Sequence, residues 1–140
     1  MTDLQPIAPR RRFGPGKIIL VVLAGLAILG VTLFFILRSA LGPLVDSGDA
    51  FMGALRDGDY QQAYTQTAPE LQRSLGSTEG LSVTVVNYRP ASWSWSQRSV
   101  RNGTGYLSGS VHYRAGNEGT AELRLTKVDG NWRVTAFRLN

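Results

Sequence analysis

The chain has 140 residues, no cysteine and a formal net charge of +5. The absence of cysteine excludes disulfides, iron–sulfur clusters and thiolate zinc sites, though not an extracytoplasmic location. Residues 44–140 carry ten basic and nine acidic side chains, so the positive excess belongs to the flanks of an apolar segment and no nucleic-acid footprint is expected.

Residues 1–17 contain Pro6, Pro9 and Pro15 with few apolar side chains, which predicts a disordered tail. Its Arg10, Arg11, Arg12 and Lys17 precede the apolar run IILVVLAGLAILGVTLFFIL, residues 18–37, which has no charge. At about 1.5 Å per residue this run spans the hydrocarbon core of a bilayer, so a transmembrane helix is predicted. The run is longer than the roughly 7–15 apolar residues of a cleaved secretory signal. Arg38-Ser39-Ala40 puts arginine at the outer position of a small-x-small cleavage site, and Arg10-Arg11-x-Phe13 echoes a twin-arginine signal only in part. A retained anchor is therefore expected. Four basic residues before the run and one, Arg38, after it place the N-terminus in the cytoplasm. The predicted location is the cell's inner (plasma) membrane, with residues 44–140 extracytoplasmic. Ala24, Gly25, Ala27 and Gly30 offer small contacts, but no Gly-x-x-x-Gly is present.

After Gly42-Pro43, Leu44, Phe51 and Leu55 recur at helical spacing. Gly58 suits a left-handed helix end, and Asp59 with Gln62 suits a capping box for a second short helix. Thr67-Ala68-Pro69-Glu70 repeats that device, and Gly76 ends the run. Helices are expected over about 44–75. Such short helices need a surface to lie on. A sheet over about 81–139 supplies it. Leu81–Arg89 is predicted as a strand, with Leu81, Val83 and Val85 on one side. Ser92–Val100 follows, then the hairpin pair Asn102-Gly103. Thr104–Arg114 places Leu107, Val111 and Tyr113 on one face and Tyr106, Ser108, Ser110 and His112 on the other. Thr120–Val128 turns at Asp129-Gly130 into Trp132–Leu139. The fold class is α+β: one N-terminal transmembrane helix, then short helices packed on a curved antiparallel sheet of about four to five strands.

No Gly-rich phosphate loop or Gly-x-Ser-x-Gly elbow is present. Asp57-Gly58-Asp59 lacks the ligand ladder of a calcium loop. His112, the sole histidine, is either a general base facing a pocket or a polar residue on an exposed strand face. Trp93 and Trp95 share one strand face, with Tyr88, Tyr106 and Trp132 expected nearby. That cluster is either core beneath the helices or a surface for an apolar ligand or partner. Arg89, Arg98 and Arg101 flank it and could stack on its rings or pair with acids.

Ala54-Leu55-Arg56, Gly58-Asp59-Tyr60, Ala63-Tyr64 and Asp129-Gly130-Asn131-Trp132, in that order, resemble a small membrane-anchored member of the nuclear-transport-factor-2-like (cystatin-like cone) superfamily. A second resemblance rests on the anchor, Ala63, Leu75-Gly76, Gly103, Gly105 and the segment GTAELRLTKVDGNW. It is to cytochrome oxidase assembly factor 1 and Tim21-like proteins, and it implies a role in assembling a respiratory oxidase. Fold analogy does not fix function. The expected function is a single-pass, membrane-anchored, non-enzymatic binding or accessory module, a subunit or assembly helper of a membrane complex. The alternative is a periplasmic pocket domain for a small apolar ligand. The expected partners are the lipid bilayer and other membrane proteins, with no metal, cofactor or nucleic acid.

Overall fold

The computed structural model describes residues 14–140. Arg10, Arg11, Arg12 and most of the predicted tail lie outside the described residues. The chain divides into two compact units, one ending at Leu37 and one running from Arg38 to Asn140, and α1 (Pro15–Asp57) contributes to both. In the first unit α1 is long and apolar enough to cross a membrane. Its most apolar window has a mean hydropathy of 2.9, and none of that window is buried.

The helix expected over 18–37 and the one expected from about residue 44 are continuous, and Pro43 lies inside α1. Proline costs a helix one hydrogen bond and some crowding. Burial offsets this: Leu44, Phe51, Met52 and Leu55 are essentially inaccessible. Their spacing makes one apolar stripe. The helix ends as predicted. Gly58 takes φ +71°, Asp59 N–H donates to Ala54 O and Gly58 N–H donates to Leu55 O. This paired closure satisfies the last carbonyls.

Asp59 then caps α2 (Tyr60–Thr65) by accepting from Gln62 N–H at 3.1 Å. Its own N–H is already used on Ala54, which leaves half of the predicted capping box formed. In α3 (Pro69–Leu75) the N-cap is Ala68, without a side-chain cap. The predicted cap, Thr67, instead donates its hydroxyl to Tyr64 O at 2.6 Å. The reason lies in the sheet: Ala68 N–H donates to Val134 O, and Val134 N–H donates to Gln66 O. Residues 66–68 thus cover part of an outer strand, which occupies the backbone that capping would use.

The larger correction concerns residues 81–89. The predicted strand is replaced by α4 (Thr78–Val85), so the sheet starts at Pro90 rather than near residue 81. Ser77 caps α4 by accepting from Gly80 N–H, with Glu79 in the first turn. Leu81 and Val85 are buried at i, i+4, and Val83, which alternation placed beside them, is 73% exposed. Burial of two residues four apart outweighs the weak strand preference of the valines.

The sheet is a four-stranded antiparallel meander in the order β1 (Pro90–Arg101), β2 (Thr104–Tyr113), β3 (Glu118–Val128), β4 (Asn131–Leu139). Both predicted two-residue turns form, with φ +49° and +75° at Asn102-Gly103 and +52° and +81° at Asp129-Gly130. Register irregularities at Pro90/Ser92, Trp95/Gln97 and Arg124/Leu125 bend the strands. The inner face carries Leu107, Val111, Ala121, Leu123, Leu125 and Val134, all fully buried with the apolar stripe of α1.

Candidate functional site

Trp93 and Trp95 lie in register with Val111 and Gly109, on the inner face. Both indole Nε1–H groups donate to the same oxygen, Asp49 Oδ1, each at 2.8 Å. A buried indole needs an acceptor, and α1 supplies one for both rings. The fit depends on small residues. Gly48 is buried where a Cβ would run into Leu107 Cδ1, and a Cβ on Gly53 would stand 3.9 Å from Trp93 Cη2. The Arg56 guanidinium sits 5.7 Å from the Trp93 ring centre. Gly109 faces the bulge of β1, where a Cβ would strike the Ser94 carbonyl. Trp132 is buried under Lys127, whose Nζ is 5.4 Å from the ring centre. The three tryptophans therefore pack in the seam between helix and sheet, and two of them are fastened by one carboxylate.

The other sequence candidates lie elsewhere. Tyr106 and His112 are on the outer face of β2, as their alternation predicts. His112 Nδ1 lies 2.9 Å from Glu118 Oε1, its cross-strand neighbour, and both side chains are more than half exposed. Tyr106, Glu122, Arg124 and Arg138 line a shallow polar concavity of about 300 Å³ on that face. Tyr88 lies beyond α4, edge-on to Tyr113 with ring centres 5.8 Å apart. The six aromatic and histidine candidates thus fall into three places rather than one. Lys17 is exposed near the start of α1. Among the described residues, no three of His, Asp and Glu converge as metal ligands would.

Sequence reasoning missed Asp49 as a site residue. Its signal is the Trp-x-Trp pair itself, since two inward indoles require an acceptor on whatever covers them. It also missed a basic group at the end of α1. Arg56 Nε donates to Asp57 Oδ1 at 3.0 Å, and Arg114 Nη2 donates to Arg56 O at 2.8 Å. The hydrogen bond from Arg56 holds the Asp57 carboxyl below its ordinary range, helped by the charges of Arg56 and Arg114. Burial pushes the Tyr113 phenol above its ordinary range, and neighbouring Tyr88 adds to the shift.

Solved structures share this architecture at low identity. An NTF-2-like protein of unknown function from Shewanella oneidensis is 16% identical, with a TM-score of 0.53 over 70% of this chain and 96% of its own. A DUF4783 family protein from Bacteroides uniformis is 13% identical, with a TM-score of 0.51 over 66% and 94% of the two chains. Another, from Bacteroides ovatus, is 12% identical, with a TM-score of 0.50 over 64% and 90%. At these identities the likeness speaks to the fold, which is NTF2-like. No curated protein matches this sequence. Residues 48–140 match the family described as Domain of unknown function (DUF4864), and the chain belongs to that family.

Proposed function

We propose that this protein is a single-pass, membrane-anchored accessory module. In this reading the apolar part of α1 spans the inner membrane with its N-terminus in the cytoplasm. The NTF2-like unit then lies on the extracytoplasmic side and binds other membrane proteins through its surface. The observation that carries the reading is the seam between α1 and the sheet. It is filled by the protein's own side chains, and the Trp93 and Trp95 indoles are both taken up by Asp49. Trp93 and Trp95, two of the residues expected to hold an apolar ligand, are thus taken up by packing against α1. The outer concavity at Tyr106, Glu122, Arg124 and Arg138 is polar and suits an apolar ligand poorly.

The proposal assigns no reaction to the protein. His112 and Glu118 lie 2.9 Å apart on an open, exposed sheet face rather than in a cleft that could enclose a substrate. Anchoring supports an accessory role physically, because confinement beside membrane partners raises effective concentration and lets weak contacts suffice. A role in oxidase assembly rests on sequence resemblance alone. The test is photo-crosslinking of the full chain in native membranes, with probes at outer-face positions such as Ser99. Recovery of defined membrane proteins is expected. Recovery of the chain alone, together with a tightly retained small molecule, would overturn the proposal.

A further inference from the structure

The accessory reading leaves open which surface binds, and a patch at the junction of α4 and β1 has the features of a docking site. Arg89 is half-buried between α4 and β1, and its Nε is sealed from solvent without a hydrogen-bond partner. Among the described residues no other buried side-chain nitrogen or oxygen is left in that condition. An orphaned guanidinium donor is costly, and native structures seldom retain one without a use. Asp57, close by in the sequence to Gly58 against which Arg89 Nη2 packs, is engaged by Arg56 at 3.0 Å. Arg114 uses Nη2 to cap the Arg56 carbonyl, which accounts for that one nitrogen and leaves the rest of the guanidinium for another acceptor. Arg89 and Arg114 line a concavity of about 290 Å³ together with Val86, Asn87 and Tyr113.

Of the lining residues Val86, the C-cap of α4, is 59% exposed, and Val83, three residues before it in α4, is 73% exposed. Tyr88 stands edge-on to Tyr113, which forms the opposite wall. Two guanidiniums that form no salt bridge among the described residues, set near two exposed valines, have complementary chemistry in one kind of partner. We propose that this surface docks an acidic segment of a partner protein. A Glu or Asp carboxylate is received by Arg89 and Arg114, and a flanking aliphatic side chain lies on Val83 and Val86. This rests on the accessory-module reading. The planar guanidiniums of Arg89 and Arg114 at the concavity offer charge-assisted, directional donors that a carboxylate matches. The exposed valines distinguish this partner from a bare inorganic anion, which gains nothing from them.

The test uses the full chain in nanodiscs of uncharged lipid, with labelled arginine side chains and valine methyls. It is titrated with N-acetyl-Leu-Glu-Leu-amide and, separately, with the peptide carrying Gln in place of Glu. The Arg89 Nε–H and Val86 methyl signals should shift saturably with the Glu peptide. Affinity should fall about tenfold with the Gln peptide and in Arg89→Gln, the size expected for one charge-assisted hydrogen bond. Val83→Ser, at an exposed position that the fold does not need, should also weaken binding. No saturable shift, or an equal response to the Gln peptide, overturns the site. So do three other results: an identical response to sodium acetate alone, shifts that track protein concentration without peptide, or shifts with anionic vesicles but not with peptide. The two failures separate. Crosslinking that recovers no membrane protein overturns the accessory reading whatever the peptide does, and an unmoved Arg89 signal overturns the docking site whatever is crosslinked.

Discussion

Leu123 in β3 and Leu29 in α1 are the same side chain in opposite circumstances: one is fully buried, the other 66% exposed. The contrast extends to their surroundings. The inner sheet face and the C-terminal part of α1 hide their apolar groups in one another. The described part of the N-terminal unit leaves Ile18, Leu20, Ile28, Leu29 and Phe35 exposed. Water accepts the second arrangement poorly and lipid accepts it well, so the proposed anchoring puts the two regions in different solvents. On that proposal core leucines report on folding, and leucines of the apolar segment report on insertion.

Substitutions can break or sharpen that contrast. Leu123→Ala should cost about 2–5 kcal/mol of unfolding free energy, measured by denaturant titration, because a packed site loses volume it cannot refill. Leu29→Ala should leave that midpoint where it was. Leu29→Arg should weaken insertion by about 3 kcal/mol, read as the inserted fraction in a translocation assay, again without moving the unfolding midpoint. If instead Leu29→Arg destabilised the NTF2-like unit and left insertion intact, the two-solvent account would fail.

Within the folded unit the tryptophan seam comes next in size. Asp49→Ala strands two indole donors and should cost about 1–3 kcal/mol, with a shift in tryptophan fluorescence. Asp49→Asn keeps an acceptor oxygen and should cost less. Tyr113 gives a pH-dependent term. Its folded phenol titrates above the unfolded value, so its contribution is complete below pH of about 10 and is lost as pH rises through the folded value. Ultraviolet titration of Tyr113→Phe against the parent chain should remove the latest-ionising tyrosine. The smallest effect is expected on the outer face. His112→Ala should change stability by less than about 0.5 kcal/mol, as exposed cross-strand pairs do.

Much of the fold was legible because its signals are local. Asn102-Gly103 and Asp129-Gly130 can hardly be read as anything but tight turns, and Gly58 before Asp59 reads as one helix closing and another opening. Period-two alternation in β2 placed Leu107, Val111 and Tyr113 correctly. The stretch 81–89 failed because LSVTVV satisfies both periods. Alternation groups Leu81, Val83 and Val85, helical spacing groups Leu81 and Val85, and only tertiary burial decides between them. The join of the two expected helices across Pro43 was illegible for a related reason, since the apolar stripe of α1 is buried by distant packing. The site was less legible still. Trp93 and Trp95 stood out in the sequence, but Asp49 lies more than forty residues away, and the meeting of Arg89 with Arg114 depends on how α4 delivers the chain to β1.

The central claim is that the uncharged span of α1 sits in lipid and holds the NTF2-like unit on the far side of the membrane. The chain contains no cysteine, so single introduced thiols report position without background. Thr2→Cys and Ser99→Cys variants should be treated in intact cells with a membrane-impermeant maleimide, then fractionated. The account predicts that Ser99→Cys is labelled before lysis, that Thr2→Cys is labelled only after it, and that both stay with the membrane under alkaline extraction. Labelling of Thr2→Cys in intact cells, or Ser99→Cys appearing in the soluble fraction on a shortened chain, would contradict it.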